Sequence, residues 1–179
     1  MRKTLKFLLE LAVALILMLC FRALVFTIYT VDGPALSPLL IQGDRVLVNR
    51  WSYGLRVGSN EGLISYTRIG RQPVEQGDVV AFENPKDPSE VLICRCHAVP
   101  GDTIHHDNQV LIVPGRVNCA PQDHYWMEAL SPLNTIDSRT LGLIPEQFII
   151  GRVTTIVYSH NPAELPWNGW RHYRTLLPL

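Results

Sequence analysis

The sequence predicts a mostly β protein, an N-terminal transmembrane helix followed by an antiparallel β domain. Three observations carry this. A largely apolar stretch runs from Phe7 to about Val31 behind Arg2, Lys3 and Lys6. Beyond it come short runs of β-branched and apolar residues with period-two alternation. The 12 glycines and 13 prolines fall between those runs, and no amphipathic helical pattern follows the apolar stretch. A chain of 179 residues has room for one compact domain and a short anchor.

The anchor comes first. A spanning helix needs about 20 mainly apolar residues, and Phe7-Leu8-Leu9, continuing through Ala12-Val13-Ala14-Leu15-Ile16-Leu17-Met18, meets that length. Glu10 is placed for the inner interface, and Arg22 for snorkelling toward the outer one. A cleaved signal peptide would share the basic start. Against it, the apolar part is long for that role, and Tyr29-Thr30-Val31-Asp32-Gly33 offers no small-x-small cleavage site. The expected organisation is residues 1–6 in the cytoplasm, 7–31 as the anchor and 32–179 as the domain on the far side, oriented by the positive-inside rule.

The strands follow. Gly43-Asp44 introduces Arg45 to Arg50, and Gly77-Asp78 introduces Val79 to Phe82, each a turn feeding a short strand. From Val91 to Ala98, alternation places Leu92, Cys94, Cys96 and Ala98 on one face and Ile93, Arg95 and His97 on the other. Gln109–Val113 and Phe148–Tyr158 are further candidates. Ser52–Pro73, with several glycines and weak periodicity, reads as an excursion. Trp167, Trp170 and Tyr173 fit either a membrane-interface belt or an aromatic cap on the domain.

Composition excludes several functions. Lys+Arg and Asp+Glu balance at 16 each, so no basic field points to nucleic acid. Cys20, Cys94, Cys96 and Cys119 show no CxxC spacing, which argues against a zinc or redox site, and Cys20 serves as a small hydrophobe in the apolar run. Cys94 and Cys96 lie about 6.5 Å apart along an extended strand with parallel Cβ vectors, so they do not pair with each other. A pairing of Cys119 with either stays open. His105, His106 and His124 read as surface residues, and no metal or cofactor is expected.

The motifs are read together. Asp32-Gly33-Pro34-Ala35-Leu36-Ser37-Pro38-Leu39-Leu40 stands just after the anchor, followed by the Gly43-Asp44 and Gly77-Asp78 segments. Then come Arg95-Cys96-His97-Ala98-Val99-Pro100-Gly101-Asp102, Asp137-Ser138-Arg139 and Gly151-Arg152. In this order the chain resembles type I signal peptidase, the membrane-bound serine endopeptidase that removes signal peptides during protein secretion. The resemblance runs to about Tyr158. It implies an inner (cytoplasmic) membrane location, a signal-peptidase-type β domain, and a Ser nucleophile activated by a Lys base held neutral by burial.

This chain departs from that pattern at both catalytic positions. The family's Ser-Met-x-Pro-Thr-Leu frame reads Ala35-Leu36-Ser37-Pro38-Leu39-Leu40, so Ala35 holds the nucleophile position. Counting back from Pro100-Gly101-Asp102, Arg95 matches the family arginine and Cys94 stands where the lysine belongs. Thr135, Asp137 and Arg139 match supporting positions of the last motif, whose Gly-Asp-Asn portion is gone. Leu36, Ser37 and Pro38 are expected along a substrate groove, with Tyr29, Val31 and the Cys94 face as further walls. Ser37 otherwise reads as a turn residue, and Lys86 as a loop charge. A Cys94–His97 pair is disfavoured because alternation puts the two on opposite strand faces.

The leading expectation is a catalytically inactive relative that binds signal peptides or assists an active signal peptidase. The alternatives are a working signal peptidase with rearranged or engineered catalytic residues, and a structural membrane protein that kept only the fold.

Overall fold

The computed structural model describes residues 2–58, 65–106, 109–131, 136–165 and 167–179. In chain order its elements are α1 (Arg2–Val25), β1 (Phe26–Thr30), β2 (Asp44–Asn49), β3 (Leu55–Val57), β4 (Thr67–Ile69), β5 (Val79–Asn84), β6 (Asp87–Ala98), β7 (Thr103–His106) and β8 (Gln109–Ile112). They continue as β9 (His124–Glu128), α2 (Ser138–Leu141), β10 (Ile144–Pro145), β11 (Ile149–Ser159) and β12 (Leu177–Pro178). The mostly β, antiparallel architecture is as expected.

The anchor boundary needs correction. The helix ends at Val25, and Phe26–Thr30, counted with the apolar stretch, is a strand paired with β2 from Phe26↔Asn49 to Thr30↔Arg45. Hydrophobicity alone does not separate the two. The alternation Phe-Thr-Ile-Tyr-Thr suits a pleated ladder, and the backbone amide of Arg50 caps the junction on the Val25 carbonyl at 2.9 Å. Among the described residues no helix is long and apolar enough to cross a membrane. Phe7, Leu8, Leu11, Leu15, Leu17 and Met18 stand exposed on α1.

Among the described residues the main sheet runs β1-β2-β11-β5-β6-β9-β10, with β12 pairing β11 where β5 no longer reaches it. β5 is the centre. Val79 and Ala81 enter one core with Leu36, Leu40, Val46, Val48, Val153 and Ile156. Val80 and Phe82 enter a second, with Cys94, Cys96, Tyr125, Met127 and Ile149. A strand covered on both faces needs an unbroken apolar run, which is why Val79–Phe82 does not alternate. Each fully buried side chain of this size contributes about 1.5–3 kcal/mol.

Two glycines are required by close approach. Gly43 turns with φ +90°, and a Cβ there would collide with the carbonyl of His160. Gly151 lets β11 pass against β2 where a Cβ would strike the Asn49 carbonyl. The Ser52–Pro73 excursion contains the short β3–β4 ladder. Trp170 bridges to His160 and lies 5.3 Å from the Tyr158 ring, at the end of the sheet opposite the α1 junction. Trp170 therefore packs on the β domain, as the aromatic-cap reading has it.

Candidate functional site

The site forms where the sheet curls. Among the described residues β1 is an edge strand, bonded only to β2. β6 pairs with β5 from Asp87↔Asn84 to Arg95↔Val79, whereas among the described residues β9 reaches it only at Arg95, Cys96 and Ala98. Residues Ser89–Ile93 of β6 thus keep one hydrogen-bonding edge without a strand partner among the described residues. These two open edges border a single groove of about 470 Å³. Tyr29, Val31, Ala35 and Leu36 line one side, Ser89–Cys94 the other, and Ile136 closes part of it. Residues more than fifty positions apart in sequence are thereby brought together.

Ala35 sits half-buried on the turn after β1. The Ser131 amide donates to the Ala35 carbonyl at 3.0 Å, and the Leu40 amide to the Leu36 carbonyl at 3.0 Å, which fixes the turn from both sides. Leu36 is buried beneath it. Ser37 and Pro38, joined by a cis peptide, lie outside the groove lining. The Ser37 amide instead closes a turn on the Pro34 carbonyl at 3.0 Å.

Cys94 faces the same groove with only 1% of its surface exposed. Burial pushes its thiol up to about 12; the Asp137 carboxylate adds to this, and Arg139 opposes it. Such a thiol stays protonated and is a poor nucleophile. Cys96 is raised to about 12 in the same way, chiefly by burial. Cys94, Cys96 and Cys119 are all free thiols. His97, with its side chain 56% exposed, stands 3.5 Å from Glu128 on the opposite face of β6, so it cannot serve Cys94.

Asp137 and Arg139 lie close enough to Cys94 for their charges to act on its thiol. Asp137 caps α2, accepts from the Ala129 amide at 3.1 Å and the Arg139 amide at 2.9 Å, and is paired with the Arg139 guanidinium. Burial alone would raise this carboxyl. The hydrogen bonds from Arg139 and the two amides outweigh it and hold the group below its ordinary value. Ser138 Oγ accepts the Met127 amide at 2.8 Å, tying α2 to β9. Thr135 lies outside the described residues.

Arg95 belongs to a different hollow, of about 410 Å³, with Gln76, His97 and Glu128; its Nε donates to the Gly77 carbonyl at 3.1 Å. Gly77 lines that hollow, and beside it the Gly77-Asp78 segment meets Gly151-Arg152 through the Asp78–Arg152 pair. The Arg152 guanidinium and Tyr53 Oη both donate to Asp78, the latter at 2.8 Å. Tyr53 gave no sequence signal, because it sits in an aperiodic stretch. His106 and His124 are half-buried rather than surface residues: His106 packs 5.1 Å from the Trp126 ring, and His124 Nδ1 lies 3.2 Å from the Gln122 carbonyl. Lys86, expected as a solvated loop charge, donates from Nζ to the Thr140 carbonyl at 3.2 Å. Among the described residues no three His, Cys, Asp or Glu side chains converge on a point that could hold a metal.

The fold and the site together define an antiparallel β domain with a groove between two open strand edges. The chain belongs to the signal peptidase family: residues 4–120 match the family described as Signal peptidase, peptidase S26. It is similar to Mitochondrial inner membrane protease subunit 2 of Saccharomyces cerevisiae, at 29% identity over 72% of this chain and 66% of that protein. The mouse protein of the same name is 26% identical over 83% of this chain and 72% of its own length. Signal peptidase IB of Staphylococcus aureus is 29% identical over 86% of this chain and 88% of its own length.

Proposed function

We propose that this protein is a membrane-anchored member of the signal peptidase family that holds extended, small-residue peptides such as signal peptides in its groove without cleaving them. The observation that carries the reading is the meeting of Ala35 and Cys94 on one groove. Ala35 has no hydroxyl to attack a carbonyl. Cys94 has no amine to accept a proton, and its buried thiol is raised to about 12. Near them Asp137 and Arg139 still form their ion pair. The two strand edges supply main-chain donors and acceptors for an added strand.

A membrane anchor at α1 is supported by the exposed apolar side chains between Phe7 and Leu19 and by the basic Arg2, Lys3 and Lys6 before them. In this reading the N-terminus is cytoplasmic and the β domain extracytoplasmic on a single-pass anchor. Assistance to an active signal peptidase is the partner reading we favour, because a relative in yeast is named as a protease subunit.

The test restores the chemistry. Purified wild-type protein in detergent is expected to bind a preprotein and leave it intact, and the variant Ala35→Ser with Cys94→Lys to cleave it. Cleavage by the wild type that Ser37→Ala abolishes would overturn the inactive reading. Silence of the restored variant together with absent binding would leave a scaffold that kept only the fold.

A further inference from the structure

The groove carries charge of one sign. Apart from Tyr29 and Cys94, its only ionisable lining side chains are Asp32 and Glu90. Both are exposed, and among the described residues neither joins an ion pair; Glu90 accepts one hydrogen bond, from Asn84 Nδ2 at 2.7 Å. Arg139, near Cys94, is paired with Asp137. Arg50 and Arg56 lie outside the lining, and Arg56 is already paired with Glu83 at 2.9 Å.

The two carboxylates occupy opposite ends. Four antiparallel steps, β1 to β2 to β11 to β5 to β6, make β1 and β6 run in the same direction. Asp32, just past the C-terminal end of β1, thus lies toward the C-terminal end of the groove walls, the end that Cys94 occupies on β6. Glu90 is four residues before Cys94 and on the same strand face, roughly 13 Å away along an extended backbone. A peptide lying along the β6 edge with a small residue against Ala35 and Cys94 would place its fourth neighbour beside Glu90.

We propose that the groove selects extended peptides that carry Lys or Arg beside the small-residue segment, with Glu90 and Asp32 as the specificity-determining residues. This rests on the peptide-binding reading of the groove. A cationic residue gains an ion pair at a partly dehydrated groove wall, a neutral one gains nothing, and an acidic one meets a like charge.

The test uses the full chain in zwitterionic detergent and fluorescein-labelled peptides of small residues, with Ala, Lys or Glu four positions to either side of the centre. Fluorescence anisotropy at low salt is expected to show the Lys peptides binding about two- to fivefold tighter than the Ala peptide and the Glu peptides weaker by a similar factor. The advantage should shrink at about 500 mM salt, where screening is short-ranged. Glu90→Gln should cancel it on one side only. Equal affinities, or a preference that survives in the Glu90→Gln, Asp32→Asn double variant, would overturn the proposal while leaving the groove reading intact. No binding by any peptide would overturn both.

Discussion

Arg174 and Asp44, 130 positions apart, share two hydrogen bonds, Nε to Oδ1 at 3.2 Å and a terminal guanidinium nitrogen to Oδ2 at 2.7 Å. Arg174 also donates to the Leu39 carbonyl at 2.7 Å, so the C-terminal segment clamps the turn that follows Ala35. Asp44 is fully buried. Removing its partner strands a carboxylate in the core, so Arg174→Met is expected to cost about 3 kcal/mol. Urea unfolding should show a lower midpoint with an unchanged slope.

Acid should unfold the domain through Asp44 and Asp137. In both, burial by itself raises the carboxyl, but for Asp44 the bonds from Arg174, the Ile41 amide and Ser159 prevail, and for Asp137 those from Arg139 and the amides prevail. Each folded-state value lies below the ordinary 3.8. A depressed carboxyl contributes stability that is present above the unfolded value and lost as pH falls through the folded one. The melting temperature should therefore drop below about pH 4, and Asp44→Asn should flatten that limb.

Glu146 should act with the opposite sign. Burial raises it above 4.5, despite Arg71 and Arg68 nearby. Its contribution is full below 4.5 and lost as pH rises through the folded value. Glu146→Gln is expected to flatten the stability profile above that point, read by the same thermal scans.

Thiol labelling should separate the cysteines. Cys119 is exposed, whereas Cys94 and Cys96 are buried with thiols pushed to about 12. Peptide mapping after brief alkylation of the folded protein should find Cys119 modified and the other two intact; rapid modification of Cys94 would contradict the burial described here.

In the restored Ala35→Ser, Cys94→Lys variant, burial disfavours the ammonium form of the new lysine. Cleavage should rise with pH through a lysine value well below the usual 10.4, visible as a shifted ascending limb in the rate profile. A limb at the ordinary lysine value would mean that the groove leaves the amine solvated.

Gly151→Ala is expected to destabilise by about 1–3 kcal/mol, because the added Cβ meets the Asn49 carbonyl across the β2–β11 ladder. Chemical denaturation would measure it, and a neutral result would show that the ladder can spread.

Much of the fold was legible wherever a local pattern marks a strand. β2, β5, β6, β8 and β11 announced themselves by alternation or by an unbroken apolar run. β1 was not legible, because its five residues extend the apolar stretch of α1 and only pairing with β2 makes them a strand. β9, packed between β6 and β10, has no period that survives its burial on both faces.

The candidate site divides in the same way. The sequence by itself determined the family motifs and their two substitutions, Ala35 and Cys94, since residue identity against an ordered frame needs no coordinates. Tertiary structure alone decided that the two face one groove, that Ser37 and Pro38 lie outside it, and that Tyr53 and Arg152 converge on Asp78. The physical reason is that a groove is made by sheet curvature, which sums the twist of many non-local pairings, and no local pattern along the chain records that sum.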